Sequence, residues 1–286
     1  AQTDGGGEGK GHSPGILGAR NRDFWMRVGP GKILGPAILP GMSENPSEGR
    51  TAVVTGASRG IGAGLVEGFR EAGVRVAGCA RTLPAGCDLA RKVDVTDGSA
   101  VEGFCEEVAR EWGPIDLWVN NAGILEPISP LRDLSADDFR GHLEVNLMGV
   151  FHGTRAYVRH VRSREGEGVL LNISSGAAWR GYAGWSAYCA GKAAVDRLTE
   201  AVQLEEEDSG LRAHAVAPGV VDTRMQEVIR ACSPEEFPMV ATFLEMKEQE
   251  AFNSPAFVAR HLLGYAFDPE MRPDDTLVRV PAEQET

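Results

Sequence analysis

Hydrophobic and polar positions give this chain two textures. From residue 50 onward, short apolar runs alternate with longer stretches in which apolar residues recur every three to four positions. That alternation of buried strand and amphipathic helix predicts a single α/β domain, a parallel sheet with helices on both faces. Thr51–Thr55 reads as the first strand, followed by a helix to about Ala72 that carries Leu65, Val66 and Phe69. Val74–Cys79 and Arg91–Val95 read as the second and third strands, with a helix from about Asp97 to Trp112 behind them. Ile115–Val119 is the fourth strand, and one long helix is expected over about 136–164 with Ser135 as its cap. A strand over Gly168–Ile173, a helix over Trp185–Asp208 and a strand over Leu211–Ala217 continue the series. Residues from about Arg224 to Glu250 read as a helical excursion with proline breaks. A helix over Pro255–Ala266 and a strand over Thr276–Val280 close the chain.

Residues 1–49 are different: rich in Gly, Pro and Ser, without amphipathic periodicity, they predict a disordered extension ahead of a domain over 50–286. They lack the charged start and apolar core of a secretory signal, and Met42 is a candidate internal start. The net charge of −12 argues against nucleic acid, whose phosphates need a basic partner surface. Five scattered cysteines with no metal-ligand spacing point to free thiols in a reduced, cytoplasmic protein with no metal. No apolar run approaches the ~20 residues that span a bilayer, so no membrane partner is expected.

The chemistry concentrates in Asn172–Lys192 (NISSGAAWRGYAGWSAYCAGK). Tyr188 and Lys192 stand four apart, which places a phenol and an ammonium on one helix face. A free tyrosine titrates near ~10, and a neighbouring cation is expected to pull that value down towards the working range. A serine at the end of the preceding strand can hydrogen-bond the same substrate oxygen. Together they form a device for moving a proton while a carbonyl and an alcohol interconvert. Trp179, Tyr182 and Trp185 lie between serine and tyrosine and suit a flat apolar substrate, while Met225, Phe237, Met239 and Phe243 are candidate lid residues.

Thr55–Gly62 (TGASRGIG) sits between a strand and a helix, the context of a phosphate-binding turn. Gly56 allows the tight turn, Gly60 lets the backbone approach a pyrophosphate, and Gly62 permits close packing. Ser58, Arg59 and Ile61 complete the turn. After the second strand there is no acid to bind a ribose hydroxyl; Arg81, helped by Arg59, can clamp a 2′-phosphate, which points to NADPH/NADP+. Asp94 and Val95 are candidates for the adenine edge. Asn120–Gly123 (NNAG), with Asn120, Ala122 and Gly123 as candidate contacts, would lie against the ribose side.

In this order, TGxxxGxG, NNAG, a serine, YxxxK and PGxxxT resemble the short-chain dehydrogenase/reductase family over about 50–280. The resemblance implies a Rossmann-type, doubly wound sheet of seven parallel strands and an Asn-Ser-Tyr-Lys tetrad. By position the tetrad is Asn146, Ser175, Tyr188 and Lys192, with Ser175 preferred over Ser174. Thr223 matches the residue that holds the nicotinamide carboxamide, and Pro218, Gly219 and Val221 precede it on the cofactor side. Substrate contacts are expected from Ser175, Trp185, Tyr188 and Met225. Asn146 would position a water that returns protons through Lys192. The closer resemblance is to the sepiapterin reductase and benzil reductase branch, which implies a small-molecule carbonyl substrate such as a ketone or 1,2-diketone. Arg279 falls where sepiapterin reductases carry an aspartate, which turns the expectation away from a pterin. An alcohol dehydrogenase acting on a sugar, steroid or secondary alcohol, and a non-catalytic NADP sensor, are the alternatives. The family also implies a homodimer or homotetramer through its two long helices.

Overall fold

The computed structural model describes residues 45–285, so the disorder expected of residues 1–44, and Met42, lie outside it. Residues 45–49, expected in the extension, form a turn against the body instead. Asn45 Nδ2 donates to Ala72 O at 2.6 Å, and Gly49 N donates to Gly73 O at 3.1 Å.

The strands are β1 (Thr51–Thr55), β2 (Arg75–Ala80), β3 (Leu89–Lys92), β4 (Leu117–Asn120), β5 (Gly168–Ile173), β6 (Leu211–Ala217) and β7 (Leu277–Arg279). They pair in the order β3-β2-β1-β4-β5-β6-β7, every pair parallel. The strand order reverses beside β1, and all C-terminal ends share one edge, where open α/β sheets bind ligands. β3 ends before the expected Arg91–Val95 run does. Lys92 pairs with Ala80, the last residue of β2, so no strand remains for Val93–Val95 to pair with. Val93 and Val95 are buried, which is why their alternation read as strand.

The helices are α1 (Gly60–Glu71), α2 (Gly98–Trp112), α3 (Ala136–Leu143), α4 (Gly149–Arg162), α5 (Ser186–Glu205), α6 (Arg224–Arg230), α7 (Val240–Glu248) and α8 (Pro255–Phe267). Ser135 caps α3 as expected, its hydroxyl accepting from Asp138 N at 3.0 Å. The single long helix expected there is interrupted, because Glu144–Met148 forms a widened π turn between α3 and α4. Such turns concentrate at functional sites, and a 3.6-residue period cannot announce them.

One apolar layer lies under α1 and α8, with Leu65, Phe69, Val258 and Leu262 against β1, β2 and β5. Gly64 and Gly68 bring these helices together. A side chain on Gly64 would overlap Pro255, and one on Gly68 would come within 2.7 Å of Ala259. The other face buries Trp118, Tyr157, Phe104 and Leu170 under α2 and α4. A third cluster gathers Leu125, Trp185, Tyr188, Ile229, Phe237 and Phe243. Among the described residues no helix is long and apolar enough to cross a membrane.

Candidate active site

The turn after β1 takes the shape that its glycines allow. Gly56 and Gly60 have φ of 66° and 57°, in the left-handed region that side chains disfavour. A Cβ on Gly62 would overlap Gly56 O, so Gly62 folds the turn onto itself as well as packing the helix. α1 begins at Gly60 with Arg59 at its N-cap and no side-chain cap bond, which leaves first-turn amides for a ligand. A Cβ on Gly60 would stand 3.4 Å from Thr223 Cγ2, so the fold brings the glycine turn and Thr223 together. An uncapped helix start beside a glycine-rich turn suits the phosphates of a dinucleotide. Arg59 and Arg81 are both exposed and enter no ion pair among the described residues. Ala57 N donates to Cys79 O at 3.2 Å, which puts their two segments on the same edge.

Some expected contacts are redistributed. Asn120 is turned into the core: it accepts from Trp118 Nε1 at 2.8 Å and donates to Asn172 Oδ1 at 2.8 Å. Strand alternation turns its neighbour Asn121 towards the glycine turn instead, where Nδ2 donates to Thr55 O at 2.9 Å and Gly56 O at 3.2 Å. Ala122 N donates to Thr55 Oγ1 at 3.1 Å, fastening NNAG to the same turn. Asp94 caps its own turn, accepting from Thr96 N at 3.0 Å and Thr96 Oγ1 at 2.9 Å. Val95 is buried against α4, with its carbonyl 2.9 Å from His152 Nδ1. Val221 also lies in the core, and Pro218 O accepts from Asn253 Nδ2 at 2.9 Å. Gly219, with φ of 78°, turns the chain against Asn253. Arg279 is exposed at the end of β7.

The tetrad positions converge. Ser174 is taken by buried Asp196, to which its hydroxyl donates, and Trp179 Nε1 donates to the same carboxylate at 3.2 Å. Ser175 is the serine beside the Tyr188 phenol, and its own Oγ accepts from Ala177 N at 3.2 Å. Lys192 Nζ donates to Ile173 O at 2.7 Å and lies 5.7 Å from the Tyr188 ring centroid. Burial lowers Lys192 to about 8, with Asp196 opposing. For Tyr188 the electrostatics differ from the expectation. Burial, the largest influence, raises its pKa, and Ser175 opposes. The phenol therefore rests protonated.

Asn146 is wholly buried in the π turn. Its Oδ1 accepts from Ile124 N at 3.0 Å and its Nδ2 donates to Ile124 O at 2.8 Å. A Cβ on Gly123 would stand 2.8 Å from Asn146 Oδ1 and 3.9 Å from Lys192 Nζ, so the missing side chain leaves open the space that both border. Sequence reading missed His142, whose Nε2 is 2.6 Å from Asn146 Nδ2. It also missed Asp196. The signal was helical spacing, since His142 lies one turn before Asn146 and Asp196 one turn after Lys192.

Over Tyr188 stands an aromatic wall. Trp185 stacks on Phe237 at 4.5 Å between centroids and meets Tyr188 edge-on at 5.6 Å and Phe243 at 5.7 Å. Met225 is half-buried in the same cluster. Among the described residues, Trp185 Nε1, Ser186 Oγ and Gln226 Oε1 are buried without a hydrogen-bond partner. Asp222 ties α6 to α7, accepting from Arg230 Nη2 at 3.2 Å and Lys247 Nζ at 2.6 Å. No cluster of three or more His, Cys, Asp or Glu able to hold a metal occurs among the described residues.

The family profile for short chain dehydrogenases matches residues 50–233. A benzil reductase ((S)-benzoin forming) of Bacillus subtilis is 32% identical over 224 residues, covering 74% of this chain and 90% of that protein. The 3beta-hydroxysteroid dehydrogenase 1 of Eggerthella lenta is 35% identical over 189 residues, 62% of this chain and 72% of its own. The crystal structure of the KRED1-Pglu enzyme matches with a TM-score of 0.71 at 32% identity, over 79% of this chain and 98% of that one.

This chain belongs to the short-chain dehydrogenase family. Within the family it is similar to the benzil reductase-like branch. It is accordingly an oxidoreductase of carbonyl or alcohol groups, from a family that works with nicotinamide cofactors.

Proposed function

We propose that the protein is an NADPH-dependent carbonyl reductase acting on a ketone or 1,2-diketone with an aromatic substituent. The observation that carries this is the buried Tyr188 phenol, its pKa raised by burial, lying edge-on beneath Trp185 with Ser175 beside it and Lys192 on the next turn of the same helix. When bound, the nicotinamide cofactor supplies the hydride. Ser175 and Tyr188 hold the carbonyl oxygen as negative charge develops on it, and Tyr188 gives up its proton. Lys192, at about 8, is charged at neutral pH and anchored by Ile173 O. Asn146 borders the same space over Gly123 and holds the Ile124 segment in place. The preference for NADPH rests on Arg59 and Arg81, exposed and in no ion pair among the described residues. Arene-bearing substrates suit the aromatic wall, and the three unpartnered buried polar atoms stand on its elements. A homodimer or homotetramer through α4 and α5, and a cytoplasmic location in keeping with five free thiols, complete the reading.

The test is oxidation of NADPH, and of NADH, with benzil, a phenyl-substituted diketone and sepiapterin, beside reduction of NADP+ with sugars, steroids and secondary alcohols. Turnover of the aryl diketones with NADPH supports the reading. Tight NADPH binding with no turnover makes the protein a sensor, and turnover with alcohols alone reverses the assigned direction.

A further inference from the structure

Asn146 has only one way to lie. Ile124 N–H can only donate, so the Asn146 atom 3.0 Å from it is the carbonyl oxygen. Ile124 O can only accept, so the atom 2.8 Å from it is the amide nitrogen. The second amide proton points at His142 Nε2, 2.6 Å away, which must therefore accept. The imidazole then carries its proton on Nδ1, which donates to Glu126 O at 3.0 Å. The ring also packs edge-on against Tyr188, with centroids 6.0 Å apart at 82°.

We propose that His142 is a positioning residue of the active site. Held as the neutral Nδ1–H tautomer, it locks the Asn146 amide and the Ile124–Glu126 segment in the arrangement that the proton path and the substrate wall require. Burial, chiefly, keeps His142 below its ordinary pKa, and the charge of Lys192 acts in the same direction. Without the imidazole acceptor, one Asn146 amide proton and the Glu126 carbonyl lose their partners in a buried setting. His142 is only 1% exposed, so water cannot replace it freely. The inference rests on the proposed reductase reading where it concerns turnover.

The experiment compares the wild type with His142→Leu, which fills the space without nitrogens, and His142→Gln, which restores an acceptor for Asn146. The readouts are benzil reduction by NADPH and hydrogen–deuterium exchange of the peptide containing Ile124. Leu is expected to lower kcat ~10–100-fold with KM for NADPH within about twofold, as a small displacement of the reacting groups does. It should speed exchange at Ile124 by about tenfold, and Gln should bring both readouts back to within about fivefold of wild type. Wild-type kcat or unchanged Ile124 exchange in the Leu variant overturns the proposal. If the Leu variant does not fold, Gln decides alone: near-wild-type values support it, and impairment of both readouts overturns it. A wild type that reduces no carbonyl removes the proposed function, while the exchange comparison still tests the lock.

Discussion

At the Thr55–Gly62 turn the surface offered to a ligand is mostly main chain, whereas over Tyr188 the wall is made of side chains from three separated segments: Leu125, Trp185, and Phe237 with Phe243. The first region is specified by absence. Gly62 must lack a side chain, because Gly56 O occupies the place of its Cβ. The second is specified by mutual fit, since Trp185 is buried against Phe237, Phe243 and Tyr188 at once. A main-chain cradle has few sequence solutions and is shared across a family. A side-chain wall has many, and can change with the substrate while the chemistry stays fixed.

Four measurements press on that contrast. Tyr188→Phe removes the proposed acid and leaves the cradle, so kcat should fall ~10³-fold while the Kd for NADPH stays within about twofold. Equal loss of cofactor affinity would mean that the two regions are not separable. Gly62→Ala should do the reverse: forcing a methyl onto Gly56 O costs about 1–3 kcal/mol, ~10–100-fold in NADPH affinity by titration calorimetry. Next comes pH. Burial puts Lys192 at about 8, so it loses its charge as pH rises through that value. Ketone reduction, which on the proposed mechanism draws a proton through Tyr188, should then fall by about tenfold per unit above the limb. Lys192→Arg should move the limb upward, and a limb that stays put assigns it to another group. Phe237→Leu should have the smallest effect, below about 1.5 kcal/mol in stability, with a several-fold change in relative KM between benzil and a smaller diketone. If it shifts NADPH affinity instead, the aromatic wall belongs to the cofactor end.

Sequence patterns carried the framework where local physics decides it. β5 and β6 begin and end where their apolar runs do, and Ser135 caps α3 by its own hydroxyl. The glycine turn and the Tyr188–Lys192 spacing were legible for the same reason: each is a short segment whose chemistry depends on near neighbours. What was not legible depends on partners far along the chain. β3 stops where β2 runs out, which Val93 and Val95 cannot reveal. Asn120 turns into the core and Asn121 braces the glycine turn, according to which sheet face each meets. The phenol of Tyr188 has its pKa raised chiefly by burial, a property of the assembled cluster that the spacing to Lys192 does not reveal.

The contact of Gly64 and Gly68 with Pro255 and Ala259 has a consequence for synthesis. The helix that opens at the glycine turn leans on α8, which is made after six of the seven strands. A nascent chain on the ribosome exposes the inner face of α1 until α8 emerges. Emergence of α8, rather than translation of the turn itself, then marks the moment at which the glycine-turn end of the sheet becomes firm.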